Sequence, residues 1–463
     1  MRFSRIGWTG LVAAGLWACG PKSGSGKDGG NTSSGGGPAS CTLPATITSD
    51  MELTTACPVW HVGSSGTTVA GNGNPMLKID PGVTVAVDKG GFLSAGTSAP
   101  GGIQAVGVPG KLITFTSSAA IPAPGDWAGV ALGDQTLATS TIAFAKFDFA
   151  SGLAGSGGQT SNEDGYSYDE PAGALIVYGG TGSVSLVLHD LEFANNAGNG
   201  LVYDNFKAGF ATGSGNLKVD DVGTGYEPFV IAANQASTLP VTISGPAGTA
   251  VDLINGQGGS TGSGGGTAGV ALTQTWPSIP LPYLADGSVV GAGNGIQIEG
   301  AGQSTATLTI AAPNTIEFKS GGSLDLDPNG SGQAVLLAIG TPTAPIVFTS
   351  ASANPVTGAW SGFTLNTPSS GGNQLGSTQL IGVTIDWAGD GSISYAADKG
   401  VIGIASGAAS DGPVIKGCTI ENYPQGTYGI VYDPNFVTPP AGGYDTPANT
   451  FLPLGSLTVG TGS

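Results

Sequence analysis

An all-β fold is predicted here, an elongated solenoid of short strands built from two tandem copies of about 230 residues. The first observation behind it is repetition within the chain. Leu77-Lys-Ile-Asp-Pro-Gly-Val-Thr-Val-Ala-Val-Asp88 returns as Leu308-Thr-Ile-Ala-Ala-Pro-Asn-Thr-Ile-Glu-Phe-Lys319. Leu112–Ser117 returns as Pro345–Ser350, and Gly125–Leu132 as Gly358–Leu365. Ser140–Asp148 matches Ser377–Asp386, and Gly200–Asp204 matches Gly429–Asp433. The offset between the members of each pair barely drifts, which chance likeness of composition does not produce.

Composition supplies the second observation. Glycine accounts for 83 of 463 residues, hydrophobic residues for 40% and charged residues for 10%. Disorder requires low hydrophobicity and high charge, so this balance points elsewhere. It suits many short strands joined by tight turns, where glycine takes positive φ at little steric cost. The third observation is the strand pattern itself. In the second copy, Ala306–Ile310, Thr315–Phe318, Ser323–Leu326, Ala334–Ile339, Ile346–Thr349, Ser361–Leu365, Gln379–Ile385 and Val401–Ile404 are short, apolar or alternating, and bounded by turn residues. That is the strand signal, and amphipathic helices are missing after residue 20. Two copies this long argue against propeller blades, which repeat at about 40–50 residues.

In chain order, Met1-Arg-Phe-Ser-Arg5 is a short basic segment and Ile6–Trp17 an apolar one, too short to span a bilayer. Leu16-Trp-Ala-Cys19 follows. These residues resemble a bacterial lipoprotein signal, although Trp17 stands where that pattern usually has a small residue. The resemblance implies removal of residues 1–18, acylation of Cys19 and an outer-membrane or cell-surface location. Residues 19–40 are Gly/Ser-rich and read as a flexible tether. The first copy with its N-terminal cap spans 41–225. A connector with the Gly-rich stretch Gly256–Gly266 spans 226–280, and the second copy spans 281–463. Cys41 and Cys57 flank a short segment and are a candidate disulfide pinning the first coil. Cys418, in a strand-like run, reads as a small buried hydrophobe.

Each copy runs through a common order of motifs. An apolar strand leads to Pro81-Gly-Val-Thr84 in the first copy. A Gly-Gly strand follows (Gly90-Gly-Phe-Leu93; Gly321-Gly-Ser-Leu324), then Ala105-Val-Gly-Val-Pro109 or Ala338-Ile-Gly-Thr-Pro342. Ile-Thr-Phe-Thr-Ser or Ile-Val-Phe-Thr-Ser comes next, and then Gly-x-Trp-x-Gly. This order resembles the right-handed parallel β-helix modules of bacterial surface proteins in the pectin-lyase-like superfamily, over most of residues 60–435. The resemblance implies coils stacked around an aliphatic column, about 20–25 residues per coil and roughly 15 coils. It does not imply an activity.

Charge narrows the partners. Both arginines, Arg2 and Arg5, precede the tether, so beyond residue 18 only lysines face 31 Asp and Glu. Nucleic acid, which requires clustered cations, is excluded as a partner, and a polyanionic polysaccharide is disfavoured. The expected partners are the membrane, through the lipid, and a neutral polysaccharide or another surface protein.

No catalytic residue is assigned. Lyases of the resembled superfamily use an Arg or Lys base beside calcium ligands, and the body has no arginine. Of four hydrolase motifs, only Asp220-Asp221 is matched. His189-Asp190 reads as a turn after a strand, and His61 lies near the N-terminal cap. The loop Ser161–Glu170 is absent for most of its length from the second copy. Asn162, Glu163, Asp164, Asp169 and Glu170 offer hard oxygen ligands that suit Ca²⁺, the one cofactor considered. Asp325-Leu-Asp-Pro-Asn-Gly330 is a weaker candidate of the same kind. Tyr166, Tyr168 and Trp387 are candidates for glycan contact. Trp127 and Trp360, equivalent in the two copies, read as packing residues at a coil corner. The alternative function is a carbohydrate-active enzyme on a neutral polysaccharide, whose chemistry would need paired carboxylates.

Overall fold

The structure, a computed structural model, describes residues 41–151, 173–179, 184–254, 268–285, 295–300, 304–326, 333–367, 375–395, 398–406, 410–445, 448–452 and 457–461. Cys41–Ser463 forms one compact unit. Strands account for nearly all its regular structure, and the described helices are the two short 3-10 turns Ala233–Thr238 and Leu375–Ser377.

Almost every pairing is parallel, between strands one coil apart in sequence. Leu77 sits beside Ile103, 26 residues on, and Glu192 sits beside Lys218 at the same interval. The strands collect into a 14-stranded, a 10-stranded, an 8-stranded and a 5-stranded sheet, with a small 2-stranded one. This is a parallel β-helix. Some coils match the 20–25 residues expected from sequence, such as Thr46 to Thr68 and Val59 to Thr84, but many are longer, such as Phe348 to Ile385, because the turns between walls carry extra residues.

The interior follows from alternation. In Ile113–Ser117, Ile113 and Phe115 are fully buried while Thr114 and Thr116 face outward. In-register neighbours then stack like on like. Phe115, Phe147 and Phe193 form a column with ring centroids 5.0 Å apart at each step and interplanar angles of 14°. Each such contact adds about 0.5–1.5 kcal/mol beyond burial. In the second half Phe318 and Trp360 lie 4.2 Å apart and nearly parallel.

The 10-stranded sheet bends around a corner without breaking. Thr141–Asp148 pairs by its first three residues with Gln104–Val106 and by Ala145–Phe147 with Ile113–Phe115. Between them Phe144 takes φ 48°, and its successors along the stack, Asp190 and Asn216, take 55° and 54°. Asn216 Nδ2 donates to Asp190 Oδ1 at 3.0 Å, tying adjacent corners together. Val187–Ala194 therefore runs straight through His189-Asp190. That corrects the expectation of a turn after a strand: the pair is a corner within one strand.

The strand runs expected in the second copy are present, with one difference. Gln379–Ile385 is broken into Gln379–Ile381 and Val383–Asp386 by Gly382, at φ 59°. Its partner across the next coil, Gly417, takes φ 66°.

Several details recur in both halves. Trp127 Nε1 donates to the Asp148 carbonyl at 2.9 Å, and Trp360 Nε1 to the Asp386 carbonyl at 2.8 Å. Both indoles are fully buried, as the packing reading requires. The Ile103 N–H donates to Ser140 Oγ at 3.2 Å and the Leu336 N–H to Thr378 Oγ1 at 3.3 Å. Thr378, rather than Ser377, is thus the positional match of Ser140. The stretch 226–280 contributes Phe229–Ala232, Ile243–Ser244, Val251–Ile254, Ala268–Val270 and Gln274–Trp276 to the sheets.

At the N-terminal end, Cys41 and Cys57 are joined in a disulfide with Cα atoms 5.8 Å apart. The His61 N–H donates to the Cys41 carbonyl at 2.7 Å, and the Leu43 N–H to the His61 carbonyl at 2.8 Å. The cap is thus tied to the first coil through main chain as well as sulfur.

Candidate functional surface

Outward positions of successive strands line up in columns, one strand spacing of about 4.8 Å apart. On the 10-stranded sheet one column reads Thr114, Lys146, Glu192, Lys218 and Ser244. Its charges alternate. Lys146 Nζ lies 3.8 Å from Glu192 and 3.2 Å from Asp148, and Lys218 Nζ lies 2.6 Å from Asp220. Asp220 also holds the exposed Lys218 ammonium above its ordinary pKa, with Glu192 adding to the effect. Asp148 further accepts from Asn195 Nδ2 at 2.7 Å.

Among the described residues, the corresponding corner of the second half forms no lysine ion pair. Asp386 stands directly beside Glu421, like charge against like charge. Asn422 Nδ2 donates to Asp386 Oδ1 at 2.7 Å, the counterpart of the Asn195–Asp148 bond. Partial burial, and then the Asp386 charge, raise the Glu421 pKa. Trp387 follows Asp386 in the left-handed region, at φ 61°, as Phe149 follows Asp148 at the same angle. The Trp387 ring is half-buried against the core. Part of the ring is thus occupied by packing and part is accessible, next in sequence to the Asp386 that accepts from Asn422.

Along the 14-stranded sheet the outward column changes character. Ala131, Ile176, Val202 and Val230 are apolar and buried. Asp252, Leu284, Glu317 and Thr349 follow in register. Burial raises the Glu317 pKa, and the charge of Glu227 raises it further. Glu227 Oε2 meanwhile accepts from the Ala250 N–H at 2.7 Å. On the 8-stranded sheet Gln297, Asp325 and Thr364 stand side by side. Burial raises the Asp325 pKa, against hydrogen bonds from Ser323, at 2.7 Å, and from Thr364.

The residues singled out from sequence fare unevenly. Cys19, Asn162, Glu163, Asp164, Tyr166, Tyr168, Asp169 and Glu170 all lie outside the described residues, as do residues 327–330 of the weaker calcium candidate. Among the described residues no group of three or more His, Cys, Asp or Glu is placed to hold a metal ion. His189 Nδ1 lies 2.7 Å from Asp190 Oδ2, and its ring meets the Phe144 ring at a near-right angle with centroids 5.3 Å apart, so the side chain packs at the corner. Asp220 and Asp221 are not brought together as a pair, since Asp220 turns to Lys218. Cys418 is buried, and its Sγ lies 3.1 Å from the Leu380 carbonyl. Sequence reasoning passed over Lys146, Glu192, Glu227, Glu317, Asp386 and Glu421. Their neighbours lie on other coils, and only an alignment of coil to coil relates them.

No protein-family model matches the chain, and neither does any curated protein or solved structure.

Proposed function

We propose that this chain is a non-catalytic cell-surface β-helix with a structural, adhesive or glycan-binding role. One observation carries the reading: polar and charged side chains are presented in register columns, one per coil, on the outside of continuous parallel sheets. A surface with a fixed repeat suits a partner that also repeats, such as an extended polysaccharide. Hydrogen-bonding side chains beside half-buried aromatic rings are the usual means of holding neutral sugars, and the Asp386–Trp387–Asn422 corner supplies both. An acidic, arginine-free body favours a neutral chain over an anionic one.

The rest of this reading comes from sequence. The N-terminal segment supports a lipid anchor at Cys19, with two or more acyl chains giving stable attachment. The motif order supports kinship with right-handed pectin-lyase-like β-helices. The recurring Trp–Asp and Asn–Asp bonds support a duplication. In that case the second copy is turned by one wall, because Thr84–Val87 belongs to the 10-stranded sheet and its counterpart, Asn314–Phe318, to the 14-stranded one.

The test is a panel of neutral and acidic polysaccharides offered to the whole chain, read both for binding and for new reducing or unsaturated ends. Retention on a neutral polymer, weakened in Trp387→Ala and Asn422→Ala, supports the proposal. Binding only to anionic polymers contradicts it. Labelling with radioactive palmitate, lost in Cys19→Ala, tests the anchor.

A second reading, a carbohydrate-active enzyme, is favoured by one feature. Glu317 is a carboxyl pushed toward its protonated form, chiefly by burial and then by the charge of Glu227, as a general acid requires. New reducing ends that vanish in Glu317→Gln would establish it in place of the first.

A further inference from the structure

Two of the three walls of the stack are interrupted at the same level. The 10-stranded sheet ends on Ile243–Ser244, while the 8- and 5-stranded sheets begin at Ala268–Val270 and Gln274–Trp276. Among the described residues, only the 14-stranded sheet passes through. It does so by Val251–Ile254 against Tyr283–Ala285, with Val251 beside Tyr283 and Asp252 beside Leu284. Most coils elsewhere are held to the next by ladders on more than one wall. Among the described residues, one short ladder remains at this level.

The 3-10 turn Ala233–Thr238 fills the gap, with Ala233, Asn234, Gln235 and Ala236 buried. Its side-chain amides reach in both directions. Toward the earlier coil, Asn234 Nδ2 and Gln235 Nε2 donate to the Phe206 carbonyl at 3.1 and 2.7 Å. Toward the later coil, Asn234 Oδ1 accepts from the Ala271 and Leu272 N–H groups at 2.9 and 3.1 Å. Gln274, at the start of the new wall, answers from the other side. Its Nε2 donates to the Ala233 carbonyl at 3.1 Å, and its Oε1 accepts from the Ser237 N–H at 3.2 Å. Side-chain amides here bridge the level at which main-chain ladders stop. Buried amides must be satisfied to be tolerated, so these bonds fix the level at which the walls change.

We infer that this seam is a joint built into the solenoid. The coils up to Ile254 and the coils from Ala268 onward are two cooperative units, coupled by one strand pair and an amide clamp centred on Asn234 and Gln274. In a stack whose stability is a sum of nearest-neighbour interfaces, the interface with the fewest ladders opens first. The inference rests on the sheets and the clamp, and stands whether the surface binds a glycan or cleaves one.

Hydrogen exchange followed by mass spectrometry on the whole chain, across a series of denaturant concentrations, tests it. Peptides from residues 41–254 should lose protection at one midpoint and peptides from 268–461 at another. In Asn234→Ala and Gln274→Ala the gap between the midpoints should widen, with the weaker half falling and the stronger half unchanged. Asn196→Ala, in a coil with complete ladders, should shift the first half alone. One shared midpoint for all peptides of the unsubstituted chain would overturn the inference, and that result does not depend on any variant folding. Parallel falls of both midpoints in the clamp variants would overturn the role given to Asn234 and Gln274.

Discussion

Asp386 and Glu421 face each other across adjacent strands with no cation between them, whereas the matching corner of the first half sets Lys146 beside Asp148 and Glu192. The folded state therefore raises the Glu421 pKa above its ordinary 4.5, through burial first and the Asp386 charge second. A carboxyl raised on folding binds more protons in the native state. Its contribution is fully present below the unfolded pKa and is lost as pH rises through the folded one. Glu317 and Asp325 shift in the same direction, again chiefly through burial. The second half should thus be more stable near pH 4.5 than near pH 7. Glu421→Gln should flatten that slope and raise the midpoint at neutral pH, as read by chemical denaturation at the two pH values. An unchanged slope in the variant contradicts the assignment.

Trp127 and Trp360 should be costly to lose. Each is a buried indole hydrogen-bonded to the main chain of the next coil. Replacement by Ala should destabilise the chain by about 3–5 kcal/mol. Trp127→Phe keeps most of the packing but strands the Asp148 carbonyl, at about 1–3 kcal/mol. Urea unfolding of the two Ala variants and of Trp127→Phe should give similar losses for the two Ala changes and a smaller one for Phe. A near-neutral Ala variant at either one would show that the corner is not held by its indole.

Opening the Cys41–Cys57 bond should loosen the first coil. The bridge closes a separation of 16 residues, for which loop-closure entropy gives about 3 kcal/mol. Reduction, or the double Cys→Ala change, should lower protection of residues 41–95 in hydrogen exchange and leave the second half alone. The main-chain bonds between Cys41, Leu43 and His61 would keep part of the cap in place.

Cys418 should be inert in the folded chain. Burial pushes its thiol up to about 11, against backbone hydrogen bonds at Val383, Lys416 and Gly382 that lower it. Thiolate is the reactive form, so almost none is present at neutral pH. In a chain carrying Cys19→Ala, a thiol reagent should label Cys418 only after unfolding. Rapid labelling under native conditions would place this residue nearer the surface than the fold has it.

The fold was legible in the sequence because a strand interior repeats with period two. Ile113, Phe115, Ile316 and Phe318 announce inward positions, and the threonines and acids between them announce outward ones. Gly382 shows the limit of that signal: an apolar run reads as one strand until a residue at positive φ cuts it. His189-Asp190 shows the opposite limit, since Asp190 takes a positive φ and the strand continues. Coil length was underestimated for the same reason, because turn residues carry no periodicity. The surface was hardly legible at all. Glu192 meets Lys218 across 26 residues, and Lys146 meets Glu192 across an insertion, so neither pair is visible until the coils are laid on one another. Cysteine spacing was a better guide, since Cys41 and Cys57 needed no third element to bring them together.

Stacking of parallel coils in register is the claim on which the rest depends, and distance measurement between spin labels tests it most directly. Thr315, Val347, Thr384, Thr419 and Thr450 form one outward column, each beside the next. Labels placed at Thr315 and Thr450 should lie about 19 Å apart between backbones, four strand spacings of about 4.8 Å. Labels at Thr384 and Thr450 should lie about half as far apart. A broad distribution, or a Thr315–Thr450 distance that does not exceed the Thr384–Thr450 one, would contradict the stack.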